Sequence, residues 1–267
     1  MNGISAVRSV LYLPASNPRA VVRARESAAD LVILDLEDAV KPEDKDSART
    51  AAVEAAASEW PMPLAIRVNG VGSEWHSRDV DAVARSQAQY VVLPRATSAH
   101  LAHQVAEAAG KPLLAMIETA AGVLAAPEIA GESAALIAGT NDLRADLRVP
   151  IANDRSPILT ALQMIVLAAR AAGITAFDGV FNNLNDPDGF VAECSHARRL
   201  GFDGKTLIHP KQIEPCNEAF SPNKDEIARA KRLIDAYGGG AERFEGQMIE
   251  RMHLEAAKRV VERAQTR

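Results

Sequence analysis

Eight short apolar runs, each followed by a longer stretch of helical period, leave this chain few architectures. The runs are Ser9–Leu13, Leu31–Leu34, Leu64–Val68, Tyr90–Leu93, Leu113–Ile117, Ala135–Ala138, Ala176–Val180 and Lys205–Ile208. Most are continuously apolar rather than alternating, the pattern of strands buried on both faces of a parallel sheet. Between them, Asn17–Ala29, Asp44–Ser58, Ser98–Ala109, Ser156–Ala172 and Asp186–Leu200 read as helices. Asn17 followed by Pro18 is a helix-start signal, and Gly110 and Gly173 stand where helix C-caps belong. About eight strand–helix units in 267 residues is the arithmetic of an α/β chain closed into a (β/α)8 TIM barrel. An open doubly wound sheet is the alternative, but no GxGxxG follows the first strand and no GxxxxGK[ST] occurs. The only glycine linker, Gly238–Gly240, divides a barrel (residues 1–237) from a C-terminal helical extension (238–267). The basic residues Lys258, Arg259 and Arg263 of that extension read as a solvated helix face.

In such a barrel the chemistry sits at the C-terminal ends of the strands. Here strand two runs out into Asp35, Glu37 and Asp38, strand three into Arg67 and Asn69, and strand four into Arg95. Strand five ends in Glu118, strand six in Asn141 and Asp142, strand seven in Asp178 and strand eight in His209. One charge at a strand end is an ordinary loop residue; seven consecutive strands converging on one rim are a candidate site.

Glu118 and Asp142 stand at matching positions on adjacent strands and form a hard-oxygen pair suited to Mg²⁺. The competing reading is that each pairs with a neighbouring arginine. Arg67 offers a planar, permanently charged fork for a substrate carboxylate, or else a structural ion pair with Glu37 or Asp38. Lys205 lies at the entry of strand eight, on the wrong face for a Schiff-base nucleophile, though its long side chain could still reach a phosphate. No GxSxG occurs, and Ser9 and Ser16 have no evident base.

Composition narrows the partners. With 30 basic and 35 acidic side chains and 4% aromatics, the chain is a poor nucleic-acid binder. No uncharged stretch approaches the ~18 residues of a membrane span, so the expectation is a cytoplasmic protein with no membrane partner. Cys194 and Cys216 have neither metal nor redox spacing and read as small core residues kept reduced.

The chain resembles the citrate lyase beta-subunit family, the CitE-like branch of the HpcH/HpaI aldolase superfamily. The resemblance rests on RSVLYLPASNPR (8–19), LVILDLEDAV (31–40), IRVNG (66–70), VVLPRA (91–96) and MIETAAGV (116–123). It continues in AGTNDLRADL (138–147), GFDGKTLIHPKQI (201–213), AFSP (219–222) and FEGQMIE (244–250), in the family's order over essentially the whole chain. It implies a TIM barrel that binds Mg²⁺ and makes or breaks a carbon–carbon bond in an acyl thioester. The expected substrate is a CoA thioester of malyl-CoA or citramalyl-CoA type, with a 2-oxoacid as product. The alternatives are an acyl-carrier-protein thioester in a multisubunit citrate lyase, a malyl-CoA thioesterase, an aldolase on free 2-oxoacids, or a non-catalytic subunit.

By motif match, Glu118 and Asp142 would hold the metal, Arg67 would bind the substrate carboxylate with Glu118 beside it, and Glu37 and Asp38 would orient Arg67 or metal-bound water. The loop after strand one, with Arg19, and the Lys205–His209 stretch would carry the thioester's arm; Arg8, Arg23 and Lys45 are further candidates for the CoA phosphates. The family's acid/base Asp, contributed by a neighbouring subunit, is Glu250 here, and its extra methylene moves the carboxyl by roughly an ångström. That departure touches the family's thioester hydrolysis more than its lyase chemistry. Asn141 replaces an acid found beside the metal Asp in many relatives. A homotrimer or higher homo-oligomer is expected, with the extension capping a neighbour.

Overall fold

The computed structural model describes residues 3–150 and 154–265. Eight parallel strands close into a barrel in chain order, β8 returning to β1. They are β1 (Ser9–Pro14), β2 (Leu31–Asp35), β3 (Leu64–Arg67), β4 (Tyr90–Leu93), β5 (Leu113–Ile117), β6 (Ala135–Ala138), β7 (Thr175–Asp178) and β8 (Gly204–Leu207). The outer layer is α1 (Pro18–Arg25), α2 (Lys45–Ala56), α3 (His76–Arg85), α4 (Ala99–Ala109), α5 (Ala120–Leu124) and α6 (Ala126–Gly131). It continues with α7 (Thr140–Asp146), α8 (Leu159–Ala172), α9 (Pro187–Leu200), α10 (Ile213–Ala219) and α11 (Lys224–Ala236). A hairpin of β9 (Glu242–Phe244) and β10 (Gln247–Ile249) leads into α12 (Arg251–Gln265).

The start and stop signals work as their chemistry requires. The Asn17 side chain accepts the Ala20 N–H at the head of α1, and Gly110 and Gly173 end α4 and α8 in the left-handed region, with φ of 61° and 70°. α3 escaped the sequence reading, because Trp75 at its N-cap offers no capping side chain.

Register decides which side chains enter the barrel. Val10 pairs with Leu31, Ile33 with Ala65, Val92 with Leu114, and Ile137 with Phe177; all of these belong to one buried interior cluster. Ile4 and Val7, from a 3₁₀ turn and the segment before β1, join that cluster at the N-terminal end of the barrel. Because side chains alternate along a strand, the next inward layer above Ile33, Ala65 and Leu114 is Asp35, Arg67 and Met116. On β2 and β3 the last inward position therefore changes from apolar to charged.

The extension packs on its own chain as well as carrying the motif expected to reach a neighbour. Ala230 and Leu233 of α11 form a small core with Ile249 and Ala257. Arg263 is not a solvated residue: it bonds the Asp203 carbonyl just before β8 and lies 3.8 Å from the Asp203 carboxylate. The apolar seam of α12 and this anchor hold the helix at the N-terminal end of the barrel.

Candidate active site

Asp35 and Arg67 face each other in register across β2 and β3. The Arg67 Nε and Nη2 groups donate to the two Asp35 carboxylate oxygens at 2.6 Å each, a planar fork on a planar acceptor. Asp35 also accepts the Glu37 N–H (2.9 Å) and the Ala39 N–H (3.0 Å), which fixes the β2 exit loop. The third guanidinium nitrogen, Nη1, lies 2.9 Å from Glu37, 3.6 Å from Asp38 and 3.8 Å from the Met116 sulfur. The Arg67 guanidinium sits 5.0 Å over the Tyr12 ring, and the Tyr12 hydroxyl donates to Met116. Arg67 Nη1 therefore lies against Glu37 and Asp38, the neighbours one sequence reading gave it, but its main partner is Asp35, which the spacing did not single out as such.

Burial drives the Glu37 carboxyl up to about 8 against the opposing pull of Arg67. At neutral pH Glu37 thus keeps its proton, and Nη1 retains its charge for an incoming carboxylate.

Glu118, just beyond β5, is 2% exposed. It accepts the Arg95 N–H at 2.7 Å, and Arg95 adopts φ 49° to present it. Burial, with Asp142 adding repulsion, pushes the Glu118 carboxyl up to about 7. Gly139 is required next to it: a Cβ there would stand 2.3 Å from Glu118 Oε2 and 2.4 Å from Glu118 Cβ. Asp142, on the first turn of α7, is half exposed and 3.7 Å from Arg95. Arg67, Asp35, Asp38, Glu118 and Asp142 line one cavity of about 340 Å³.

The donor set fits a magnesium ion. Of the four carboxylates lining the cavity, Asp35 and Asp38 lie against Arg67, while Glu118 and Asp142 have only Arg95, 3.7 Å from Asp142, as an ion-pair partner among the described residues, and a proton retained on buried Glu118 is the charge that a bound cation would replace. Among the described residues no cluster of three or more His, Cys, Asp or Glu stands ready to chelate an ion. A Mg²⁺ ion needs no such cluster, since it keeps waters or substrate oxygens in most of its positions.

Beside this cavity runs a cleft of about 1140 Å³ between α1 and α10, sharing Tyr12, Leu13, Pro14 and Ile208 with it. Of the expected arm-binding residues, Arg8, Arg23 and His209 line the cleft. Arg8 is partly committed, bonding Asp30 and Ser221. Arg19 is exposed at the head of α1, outside the cleft lining.

Lys205 and Lys45 need correction. Lys205 is fully buried on the outside of the barrel wall, its Nζ donating to Asp178 (2.6 Å) and Glu193 (2.7 Å), so it cannot touch a phosphate. Asp178 belongs to the same buried network, not to the rim. Burial alone would raise its carboxyl, but Lys205 and Arg155 outweigh that and hold it below the ordinary range. Lys45 is likewise enclosed, donating to the Leu36 and Glu37 carbonyls and to Asn69, and it ties the β2 loop to β3.

Glu250 heads α12, exposed, its N–H donating to His253; among the described contacts it meets none of the rim residues of its own chain. Cys194 and Cys216 are buried and free, as expected. Tyr12, Met116 and Gly139 are the site residues that the sequence reading passed over. Asp35 was visible as the acid closing the LVILD run, and its facing of Arg67 needed the register.

The HpcH/HpaI aldolase/citrate lyase family model matches residues 8–210. A (3S)-malyl-CoA thioesterase of Cereibacter sphaeroides is 42% identical, over 97% of this chain and 94% of its own. The citrate lyase subunit beta of Escherichia coli is 34% identical, over 97% and 93%. Among solved structures, the CitE protein of Mycobacterium tuberculosis in complex with magnesium, acetoacetate and coenzyme A superposes with a TM-score of 0.86. It is 34% identical, and the match covers 98% of this chain and 99% of that one. With the barrel, the carboxylate pair and the arginine clamp in place, this chain belongs to the HpcH/HpaI aldolase/citrate lyase family.

Proposed function

We propose that the protein is a Mg²⁺-dependent carbon–carbon lyase that cleaves a 3-hydroxyacyl-CoA thioester of malyl-CoA or citramalyl-CoA type into a 2-oxoacid and an acyl-CoA. The observation that carries this reading is one cavity holding a buried, anchored Arg67 beside the Glu118–Asp142 pair, continuous with a large cleft between α1 and α10. The malyl-CoA thioesterase relative and the magnesium- and coenzyme A-bound CitE structure support the substrate class and the ion.

Glu118 and Asp142 would hold the metal, which supplies Lewis-acid polarisation of the substrate hydroxyl as it becomes a ketone. Arg67 takes the substrate carboxylate on its Nη1 edge while Asp35 holds the other edge, so the carboxylate is oriented without moving the guanidinium. Protonated Glu37, 2.9 Å from Nη1, can donate to the same carboxylate. A carboxylate of the rim takes the hydroxyl proton as the carbon–carbon bond breaks, and the electron pair of that bond passes to the thioester as an enolate. That enolate must then be protonated at carbon. Glu250 of an adjoining copy is the candidate donor, in a cytoplasmic homotrimer or higher oligomer. Arg23 and His209 in the cleft are placed for the CoA arm, with Arg19 at its edge.

A second reading, thioester hydrolysis, is favoured by the 42% identical thioesterase. The assay supplies malyl-CoA and citramalyl-CoA with Mg²⁺ and follows 2-oxoacid and free CoA separately. Release of oxoacid with acyl-CoA supports the lyase. Free CoA with an intact hydroxyacid supports the thioesterase. Turnover of acyl-carrier thioesters alone would replace CoA with a carrier protein. Turnover of none of them would defeat the proposal.

A further inference from the structure

A smaller cavity of about 310 Å³ lies beside the rim, and Thr140, Asn141, Val180 and Asn182 line both it and the active-site cavity. Arg144 and Arg155 also line it, and they are only 8% and 7% exposed. Each guanidinium is half used. Arg144 Nη2 donates to the Asp154 carbonyl at 2.6 Å, and Arg155 Nη2 pairs with Asp178, yet among the described residues the buried Nη1 of each has no hydrogen-bond partner. Unpaired buried donors are costly to a fold and are kept where something else satisfies them.

Around the cavity the charges close but the donors do not. Arg144, Arg155 and Lys205 face buried Asp178, half-buried Glu193 and, across from Arg144, Asp154. The exposed Asp154 carboxylate is turned onto Ser156, whose hydroxyl and N–H it accepts at 2.5 and 2.9 Å. His196, near Arg155, is held below its ordinary value first by burial and then by Arg155 and Arg199, so it adds no charge at neutral pH. Two buried donors remain. On the rim side Asn141 and Asn182 bond each other through their amides at 2.7 and 3.4 Å, and these amides can turn toward a guest.

The structure assigns this cavity as a subsite for a small carboxylate, distinct from the carboxylate position on Arg67. A planar, two-oxygen anion matches the two half-used guanidinium edges in a cavity of this size. The carboxylate has two sources: a distal group on the substrate's acid half, which rests on the oxoacid reading of the rim, or a free monocarboxylate bound beside it.

The test uses the full chain with Mg²⁺ and calorimetric titration of pyruvate, oxaloacetate, and acetate added to pyruvate-saturated protein. The variant is Arg144→Gln, because Arg155 is knotted into the Asp178 network. A thermal melt confirms its fold, and Arg144→Lys takes its place in every readout if it melts out. For a substrate carboxylate, oxaloacetate binds at least tenfold more tightly than pyruvate, and the variant erases the difference while pyruvate affinity stands. For a free anion, acetate binds the pyruvate complex and the variant weakens it at least tenfold. If the variant alters neither the oxaloacetate-to-pyruvate ratio nor acetate affinity, the subsite is refuted. Failure of the wild-type protein to bind pyruvate would instead strike the oxoacid reading of the rim, and acetate titrated alone would then decide the subsite.

Discussion

Replacing Asp35 by Asn tests whether the clamp depends on a buried charge or only on shape. Asp35 is 1% exposed and accepts from Arg67 Nε and the Glu37 N–H on one oxygen, and from Arg67 Nη2 and the Ala39 N–H on the other. Asparagine keeps one of these oxygens. Whichever orientation it takes, its amide group faces one arginine donor and one backbone donor that were previously satisfied. Breaking a buried, hydrogen-bonded ion pair from one side costs about 3–5 kcal/mol, since the remaining charge stays buried without its partner. Equilibrium urea unfolding should show a loss of that size with an unchanged denaturant slope. Oxoacid affinity, measured in the folded baseline, should fall about 100-fold, because a displacement of roughly an ångström in a positioning group has that effect on geometry-dependent steps. A loss under about 1 kcal/mol with oxoacid affinity retained would refute the reasoning. Glu37 and Asp38 would then be able to hold Arg67 by themselves, and Asp35 would be a spectator.

Three further outcomes follow from the same geometry. Glu118, at about 7, binds its proton more tightly in the folded chain than when unfolded, so its contribution to stability is full below its ordinary range near 4.5 and fades as pH rises through 7; over that span the change is about 3 kcal/mol by linkage. Denaturation in EDTA at pH 4.5 and pH 8 should show this loss on top of that from Glu37, E118Q should remove about 3 kcal/mol of it, and Mg²⁺ affinity should climb with pH up to about 7. Gly139→Ala drives a methyl into Glu118 and should cost about 1–3 kcal/mol together with Mg²⁺ binding, whereas Gly131→Ala, with open space around it, should leave calorimetric Mg²⁺ titrations unchanged. Lys205→Met should lower stability by about 3–5 kcal/mol, and CoA affinity of the folded protein should match the wild type; a selective loss of CoA binding would restore Lys205 to the cleft.

The barrel was legible because its strands announce themselves as uninterrupted apolar runs and its helices by caps: Asn17, Gly110 and Gly173 act in the structure as they read in the chain. The rim was legible for the same reason, since a charge closing an apolar run has to emerge at a strand end. What the chain could not display was side-chain parity. Asp178 looks like a rim residue in one dimension and Lys205 like a side chain long enough to reach a phosphate, but each sits one step from an inward position, next to Phe177 and Thr206, and so faces the helices instead. Lys45 shows a second limit: a lysine early in a helix looks solvated until the fold brings two carbonyls and an amide to its ammonium group. Asp35 shows the third, because a register between strands about thirty residues apart has no local signature.

Ile4 and Val7 close the N-terminal end of the barrel. The barrel is therefore a cup rather than a tunnel, and traffic into it has an order. A small acid seated against Arg67 would lie across the shared Tyr12, Leu13, Pro14 and Ile208 wall from whatever occupies the cleft between α1 and α10. On the lyase reading, a thioester reaching over that wall would cover the acid, so the acyl thioester would leave first and the oxoacid second, and in the synthetic direction the oxoacid would already be seated. Product inhibition would then be asymmetric: the acyl thioester can occupy the cleft over a seated acid and trap it, while the acid cannot detain a thioester lying above it.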